Sequence, residues 1–234
     1  MKWILSLCMM ILCSVTFSLD RLQIMNFSSY FDSNVFVVND EIKKLGNSEE
    51  EKIKKGILYL SLAIQEPPVE KASLKAVEIL KEFEKKNVDR LLKAYLAMSY
   101  SLGSRDDKNP LKKMKYADNC IKLFNAIVAE DENDWYVRFL RAQCFAAFPD
   151  FFKVGDIAES DFKFLQNLYE NKKENIHPTI AVRVYYYLGE FAKSKKDLDK
   201  AIAFWKKAVS IADENHITND SYRKAKARIK VFEE

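Results

Sequence analysis

The sequence predicts an all-α protein, a right-handed helical-repeat solenoid of about four antiparallel helix pairs followed by a C-terminal capping helix. Three observations support this fold class. The 234 residues include only five glycines and five prolines, too few chain breakers for a typical all-β fold. From Ser48 onward, apolar residues recur at spacings of three and four. Finally, one alanine recurs at a nearly constant interval in every second helix.

The predicted helix boundaries follow from capping residues and chain breakers. Ser48 and Glu51 form a capping box that starts the first long helix, and Pro67 with Pro68 ends it. An apolar stripe from Ile157 to Leu168 marks the sixth helix. Other helices are expected to start at Asn87, Asn109 with Pro110, Asn133, Pro178, Asp197 and about Thr218.

The chain divides into an N-terminal lead segment, residues 19–47, and a solenoid, residues 48–234. The lead segment has no clear period between Leu22 and Leu45, although a helix is expected near Asp40–Leu45. The stretch Asn34–Val38 is short and apolar, and periodicity does not assign it to a helix or a strand.

Internal repetition favours a solenoid over a bundle. The recurring alanines are separated by 41, 41 and 43 residues, and each is followed four places later by a larger apolar residue. A small residue lets two helices approach closely, and the larger one fills the space beside it. The alanines are Ala76, Ala117, Ala158 and Ala201, and the larger residues are Leu80, Ile121, Phe162 and Trp205.

The last unit, Val182–Asp213, resembles a tetratricopeptide repeat. The matching positions are Tyr185, Leu188, Gly189 and Ala192 in its first helix and Ala201, Trp205 and Ala208 in its second. The family's twelve-residue step separates Gly189 from Ala201. The earlier units have longer steps, and Asp213 stands where the family has a closing proline. A related helical-repeat family is therefore the alternative.

Resemblance to this family implies a concave groove, lined by the first helix of each pair, that binds a protein or peptide partner. The alternative is that the residues at these positions are ordinary surface and inter-helix residues. The expected partner-binding residues are Tyr136, Phe139 and Gln143 in the third unit and Arg183, Tyr186, Glu190 and Lys193 in the last.

Residues 1–18 have the pattern of a secretory signal peptide, with Lys2 followed by a long uncharged stretch and cleavage expected after Ser18. An uncleaved membrane anchor and a lipoprotein signal using Cys13 or Cys8 are alternatives. The protein is therefore expected to be exported, and periplasmic or envelope-associated if the source is bacterial.

Cys120 and Cys144 lie on helices that should be neighbours. In an exported chain two such cysteines can form a disulfide, and the alternative is two separate, buried thiols.

The loop Phe148–Phe152 contains three phenylalanines in five residues. These rings either pack over the following helix or form an exposed apolar patch that marks an interaction site.

The C-terminal stretch from Tyr222 to Phe232 combines an apolar stripe with five basic residues. It is expected to cap the solenoid, and attraction to an anionic membrane surface is the alternative.

The composition argues against several function classes. A formal charge of +4, with acidic and basic residues interleaved, does not favour nucleic-acid binding. The two histidines, His177 and His216, are not in a metal-ligand spacing, and no phosphate-binding loop or nucleophile motif is present. The sequence therefore predicts a non-catalytic scaffold or assembly factor without metal or cofactor. The alternatives are an accessory protein that binds a small ligand or lipid for a transporter, and an envelope enzyme with an unrecognised site.

Overall fold

The computed structural model describes residues 19–171 and 176–233, so the predicted signal peptide lies outside the described residues. Within these two ranges the chain forms eleven α-helices and no strand, and none of these helices is both long and apolar enough to cross a bilayer. The helices are α1 (Arg21–Ser28), α2 (Val35–Lys44), α3 (Glu49–Ala63), α4 (Ala72–Leu80), α5 (Arg90–Asp106), α6 (Pro110–Glu130), α7 (Trp135–Ala146), α8 (Gly155–Glu170), α9 (Pro178–Ser194), α10 (Leu198–Glu214) and α11 (Asp220–Glu233).

The helices pack in sequential pairs, which confirms the predicted helical-repeat fold class. Helix α3 packs against α4, α5 against α6, α7 against α8 and α9 against α10. Adjacent pairs are joined because α4 contacts α5, α6 contacts α7 and α8 contacts α9. Helix α11 packs against both α9 and α10 and so caps the last pair.

Three predicted helix starts are confirmed by their capping geometry. The Ser48 hydroxyl accepts a hydrogen bond from the Glu51 backbone N–H, and Glu51 completes the capping box. The Asn109 side chain accepts from two backbone N–H groups of α6, with Pro110 at the first helical position. Asp197 caps α10. Such caps satisfy N–H groups that have no partner inside the helix.

Two predicted starts are wrong by one or two residues. Asp89, not Asn87, caps α5, and its carboxylate accepts a 2.7 Å hydrogen bond from the Leu91 N–H. Asp134, not Asn133, caps α7 and accepts from the Val137 N–H at 3.2 Å. In both cases an aspartate follows the asparagine closely, and helix N-caps favour both residue types.

The stretch left unassigned at Asn34–Val38 is the start of α2. The Asn34 side chain caps this helix by accepting a 2.8 Å hydrogen bond from the Phe36 N–H. Phe36 and Val37 are exposed to solvent and only Val38 is buried. Two exposed apolar residues hide the helical period, which explains why the pattern was ambiguous.

The recurring alanines lie in the core of the array. All four are at most 1% exposed, and Phe162 and Trp205 one turn later are fully buried. In the last pair a Cβ at Gly189 would lie only 2.3 Å from Trp205 Nε1. The first pair repeats this arrangement, since a Cβ at Gly56 would lie 2.6 Å from Leu80 Cδ2. Close approach of the two helices therefore depends on a glycine in the first and last pairs.

Candidate partner-binding surface

The first helices of the four pairs are α3, α5, α7 and α9, and we refer to the surface they form as the first-helix face. Three of the predicted partner-binding residues lie on α7 and four lie on α9. They are not equally available to a partner.

On α7 the predicted residues divide into one buried and two half-buried side chains. Phe139 is only 4% exposed and belongs to the main core, so it offers little surface to a partner. Tyr136 is half-buried, with its ring centroid 5.4 Å from that of Trp135 and 6.2 Å from that of Phe139. Gln143, two turns later, is also half-buried.

On α9 three of the four predicted residues contact other side chains of the last unit and α11, although Glu190 and Lys193 are only half-buried. The Glu190 carboxylate accepts two hydrogen bonds from the Arg228 guanidinium of α11, at 2.9 and 3.0 Å. Lys193 Nζ lies 5.7 Å from the ring centroid of Phe232, also on α11. Tyr186 is buried, and this burial raises the pKa of its hydroxyl, as does the nearby Glu190. Arg183 is half-buried.

Helix α11 thus covers the end of the first-helix face. The hydrogen bond with Glu190 raises the pKa of Arg228, as expected for a guanidinium that donates two hydrogen bonds to one carboxylate. On its inner side Ala225 is fully buried, and Tyr222, Ile229 and Phe232 pack around it. Capping by α11 is the role that the apolar stripe of this segment predicts.

The lead segment covers the other end of the same face. Helix α1 packs against α3 and α5, and the 3-10 turn Ser29–Asp32 packs against α3. The Ser61 hydroxyl donates a 2.7 Å hydrogen bond to the Tyr30 carbonyl. Phe31 meets Tyr95 of α5 edge to face, with ring centroids 5.6 Å apart. The apolar residues Ile24, Phe27 and Phe31 are the signal in the sequence for this docking, which the search for helical periodicity does not detect.

A charged junction fixes the lead segment to the third pair. The two terminal nitrogens of Arg21 donate to the two carboxylate oxygens of Asp134, at 2.6 and 2.7 Å. Burial alone would raise the pKa of Asp134, but the hydrogen bonds from Arg21 and from the Val137 N–H outweigh it, so the pKa is lowered. Arg90 adds a positive charge, with its Nε 3.8 Å from the same carboxylate.

Five of the predicted residues are half-buried, and Glu190 and Lys193 among them contact α11. The other three are Tyr136, Gln143 and Arg183. We call this part of the first-helix face the open face. It presents an aromatic ring, an amide and a guanidinium, which can stack on a partner and hydrogen-bond to it.

Behind the open face, a buried ion cluster fixes α7 to α8. Asp161 is fully buried on α8 and accepts hydrogen bonds from Arg138 and Arg141 of α7, each at 2.7 Å from Nε. The Arg138 guanidinium also lies over the Phe164 ring, 3.9 Å from its centroid. These contacts hold the two helices in register.

Cys120 on α6 and Cys144 on α7 are both buried and are present as free thiols. Burial raises the pKa of the Cys120 thiol, and a hydrogen bond with Cys144 raises it further. The helices are therefore neighbours, as predicted, while pairing of the two thiols in an oxidising compartment stays a prediction.

The Phe148–Phe152 loop combines both predicted alternatives. The rings of Phe148 and Phe152 have centroids 5.1 Å apart and pack against the core. Phe151 remains 65% exposed. The loop therefore packs through two rings and presents the third to solvent.

The described residues contain no group of three or more histidines, cysteines or carboxylates placed to hold a metal ion. His177 is used as a helix cap, because its Nδ1 accepts a hydrogen bond from the Thr179 N–H that opens α9.

No family model matches this chain, and the search of curated proteins finds no match. Among solved structures, the crystal structure of a thermophilic TPR protein from Thermus thermophilus is similar, with a TM-score of 0.60 and 16% sequence identity. The similarity covers 89% of this chain and 96% of that chain. At this identity it shows the fold alone, which is a TPR-like helical repeat.

Proposed function

We propose that this chain is an exported, non-catalytic scaffold or assembly factor that holds a protein or peptide partner on the open face. The observation that carries the proposal is the TPR-like fold, whose first-helix face is covered by α1 and α11 at its ends and accessible at Tyr136, Gln143 and Arg183. Helical-repeat surfaces of this kind commonly bind partners in an extended or helical conformation.

The two coverings limit the size of the partner segment. The open face is formed by α7 and α9, each of which packs against α8. An extended peptide that reaches from one helix to the other advances about 3.3 Å per residue, so roughly six residues extend over about 20 Å. A short segment with one anchoring side chain and a carboxylate for Arg183 suits this surface best.

Export is the second part of the proposal. It rests on the residue pattern of residues 1–18, and in a bacterial source the mature chain would be periplasmic or envelope-associated. Mass determination of the chain purified from its source tests this. Loss of residues 1–18 supports a cleaved signal, and an intact N terminus found in the membrane fraction supports an anchor.

Partner binding is tested by affinity capture from an envelope extract of the source organism, followed by mass spectrometry. The test variant carries Tyr136→Ala, Gln143→Ala and Arg183→Ala, which leave the buried Tyr186 and the Glu190–Arg228 pair intact. A matched control carries Lys122→Ala, Asn167→Ala and Lys207→Ala, three exposed positions on second helices.

A protein captured by the wild type and the control but not by the open-face variant supports the proposal. A protein captured equally by all three places the binding surface elsewhere and contradicts the proposed site. If no protein is enriched, the scaffold function is wrong, and binding of a small ligand or lipid becomes the better explanation.

A further inference from the structure

An apolar groove lies at the edge of the array, and none of its lining residues belongs to the open face. It is formed where α5 ends, where α6 begins and where the Phe148–Phe152 loop follows α7. Its volume of about 510 Å³ is within the range of small-molecule binding sites, roughly 300–1,000 Å³. Most of its wall is apolar, including Leu102, Pro110, Met114, Phe148, Phe151 and Phe152.

Two wall residues expose unusually large apolar surfaces. Met114 is 49% exposed and Phe151 is 65% exposed, although both line a concave surface. Leu111, on the turn of α6 just before Met114, is 81% exposed. Leaving such side chains in water is unfavourable, at about 25 cal/mol per Å² of apolar area, so an apolar ligand that covers them would bind favourably.

Two cations, Lys113 and Arg105, line the groove. The charge of Lys113 contributes to lowering the pKa of the Asp106 carboxyl, but among the described residues no carboxylate forms an ion pair with its ammonium group. Lys108 and Lys112 line a second groove together with Asp106 and Asp107. The Arg105 guanidinium is already bound to the Asp106 carboxylate and to the Ala63 carbonyl. Lys113 is therefore the wall cation best placed for an anionic group.

The polar groups of the wall indicate which kind of apolar ligand fits. A peptide in the groove would need hydrogen-bond partners for its backbone, since unpaired buried N–H and C=O groups are costly. Besides the charged groups of Arg105 and Lys113, the side chains of the wall offer the hydroxyls of Ser101 and Ser104, and the Ser104 hydroxyl already donates to the Ser101 carbonyl at 2.7 Å. An acyl chain has no polar groups along its length and leaves none unpaired.

We propose that this groove binds the single acyl chain of an anionic amphiphile, with the carboxylate or phosphate of the ligand beside Lys113. A long-chain fatty acid and a lysophospholipid share this chemistry. The site does not depend on the proposed scaffold function, because it uses different residues.

Binding is tested with the full chain and cis-parinaric acid, a naturally fluorescent fatty acid, below its aggregation concentration. The wild type should bind one equivalent saturably. Met114→Gln with Phe151→Ser should weaken binding about tenfold or more, whereas Val231→Ser, which alters an exposed apolar residue on α11, should leave it unchanged. Because Met114 and Phe151 are exposed, these variants should keep the wild-type circular dichroism.

The anionic group is tested by competition and by charge removal. Palmitate and palmitoyl lysophosphatidate should displace the probe more strongly than hexadecanol, and the stronger of the two identifies the ligand class. Lys113→Gln should remove this preference, and Lys115→Gln, two residues away, should retain it. Absence of saturable binding, equal binding by the groove and control variants, or equal displacement by hexadecanol would overturn the proposal.

Discussion

Substitution of Gly189 by alanine tests whether close helix approach holds the last pair together. The added Cβ would lie 2.3 Å from Nε1, 2.5 Å from Cδ1 and 2.9 Å from Cε2 of Trp205. Trp205 is fully buried and is flanked by Phe232 at a centroid distance of 5.8 Å, so its ring has little room to move. The substitution should therefore strain the core of the last unit.

The expected magnitude is the difference between two opposing effects. Overpacking a core costs about 1–3 kcal/mol, and alanine favours a helix over glycine by about 1 kcal/mol. The difference is about 0–2 kcal/mol, and because the added Cβ would meet a rigid ring at 2.3 Å, the net loss in the free energy of unfolding should lie at the upper end, about 2 kcal/mol. For a chain of this size that corresponds to a decrease in melting temperature of roughly 4–8 °C.

Urea and thermal unfolding followed by circular dichroism measure this loss. Gly155→Ala is the matched control, since a Cβ there would meet only Phe191 Cε1, at 4.0 Å. Gly155→Ala should leave stability unchanged or increase it by about 0.4–1 kcal/mol. If Gly189→Ala is as stable as Gly155→Ala, the close approach of α9 and α10 does not require a glycine, and the packing argument is refuted.

Three further predictions follow from buried polar groups. Asp161→Asn should destabilise the chain by about 3–5 kcal/mol in urea unfolding, because it leaves Arg138 and Arg141 without their buried carboxylate. The control, Asp118→Asn in the exposed Asp118–Lys122 pair, should cost less than about 0.5 kcal/mol. Equal effects of the two substitutions would show that the buried ion cluster does not stabilise the fold. Arg21→Gln should destabilise the chain at pH 7, because it removes the ion pair with Asp134. Since the pKa of Asp134 is lowered in the folded state, the stabilisation from this pair is complete above the ordinary aspartate pKa and is lost as the pH falls through the folded value. The difference in stability between variant and wild type should therefore shrink below about pH 4, and a constant difference would show that Asp134 is not the partner. In a Cys8→Ser, Cys13→Ser background, Cys120 and Cys144 should react slowly with a thiol reagent in the folded chain and rapidly in urea. The reason is that both thiols are buried and the pKa of Cys120 is raised. If they do not react in urea without a reductant, they form a disulfide.

The sequence predicts those features of the fold that depend on local chemistry. Asn109 with Pro110 and the Ser48–Glu51 box determine their helix starts through short-range hydrogen bonds, and the recurring alanines identify the core of each pair. Adjacent candidates such as Asn133 and Asp134 could not be separated, because either can cap a helix.

The accessibility of the binding surface could not be predicted in the same way. Tyr186 and Glu190 lie at groove positions of their own unit, yet α11 packs over them through Arg228. Which segment covers which face depends on contacts between residues far apart in the sequence, such as Arg21 with Asp134, and no local pattern encodes them. Gly56 occupies the position in the first pair that Gly189 occupies in the last, but the spacing does not reveal this. The loop between the helices of the first pair is longer, so the step from Gly56 to Ala76 differs from the twelve-residue step from Gly189 to Ala201.

The contact between Arg21 and Asp134 also constrains the order in which the chain can assemble. The two residues are 113 positions apart, so the beginning of the chain is synthesised long before the residue that secures it exists. A contact over this separation closes a long loop, which costs entropy, so it is expected to form late in folding. The pair therefore joins the lead segment to the third pair only when both α1 and α7 are in place.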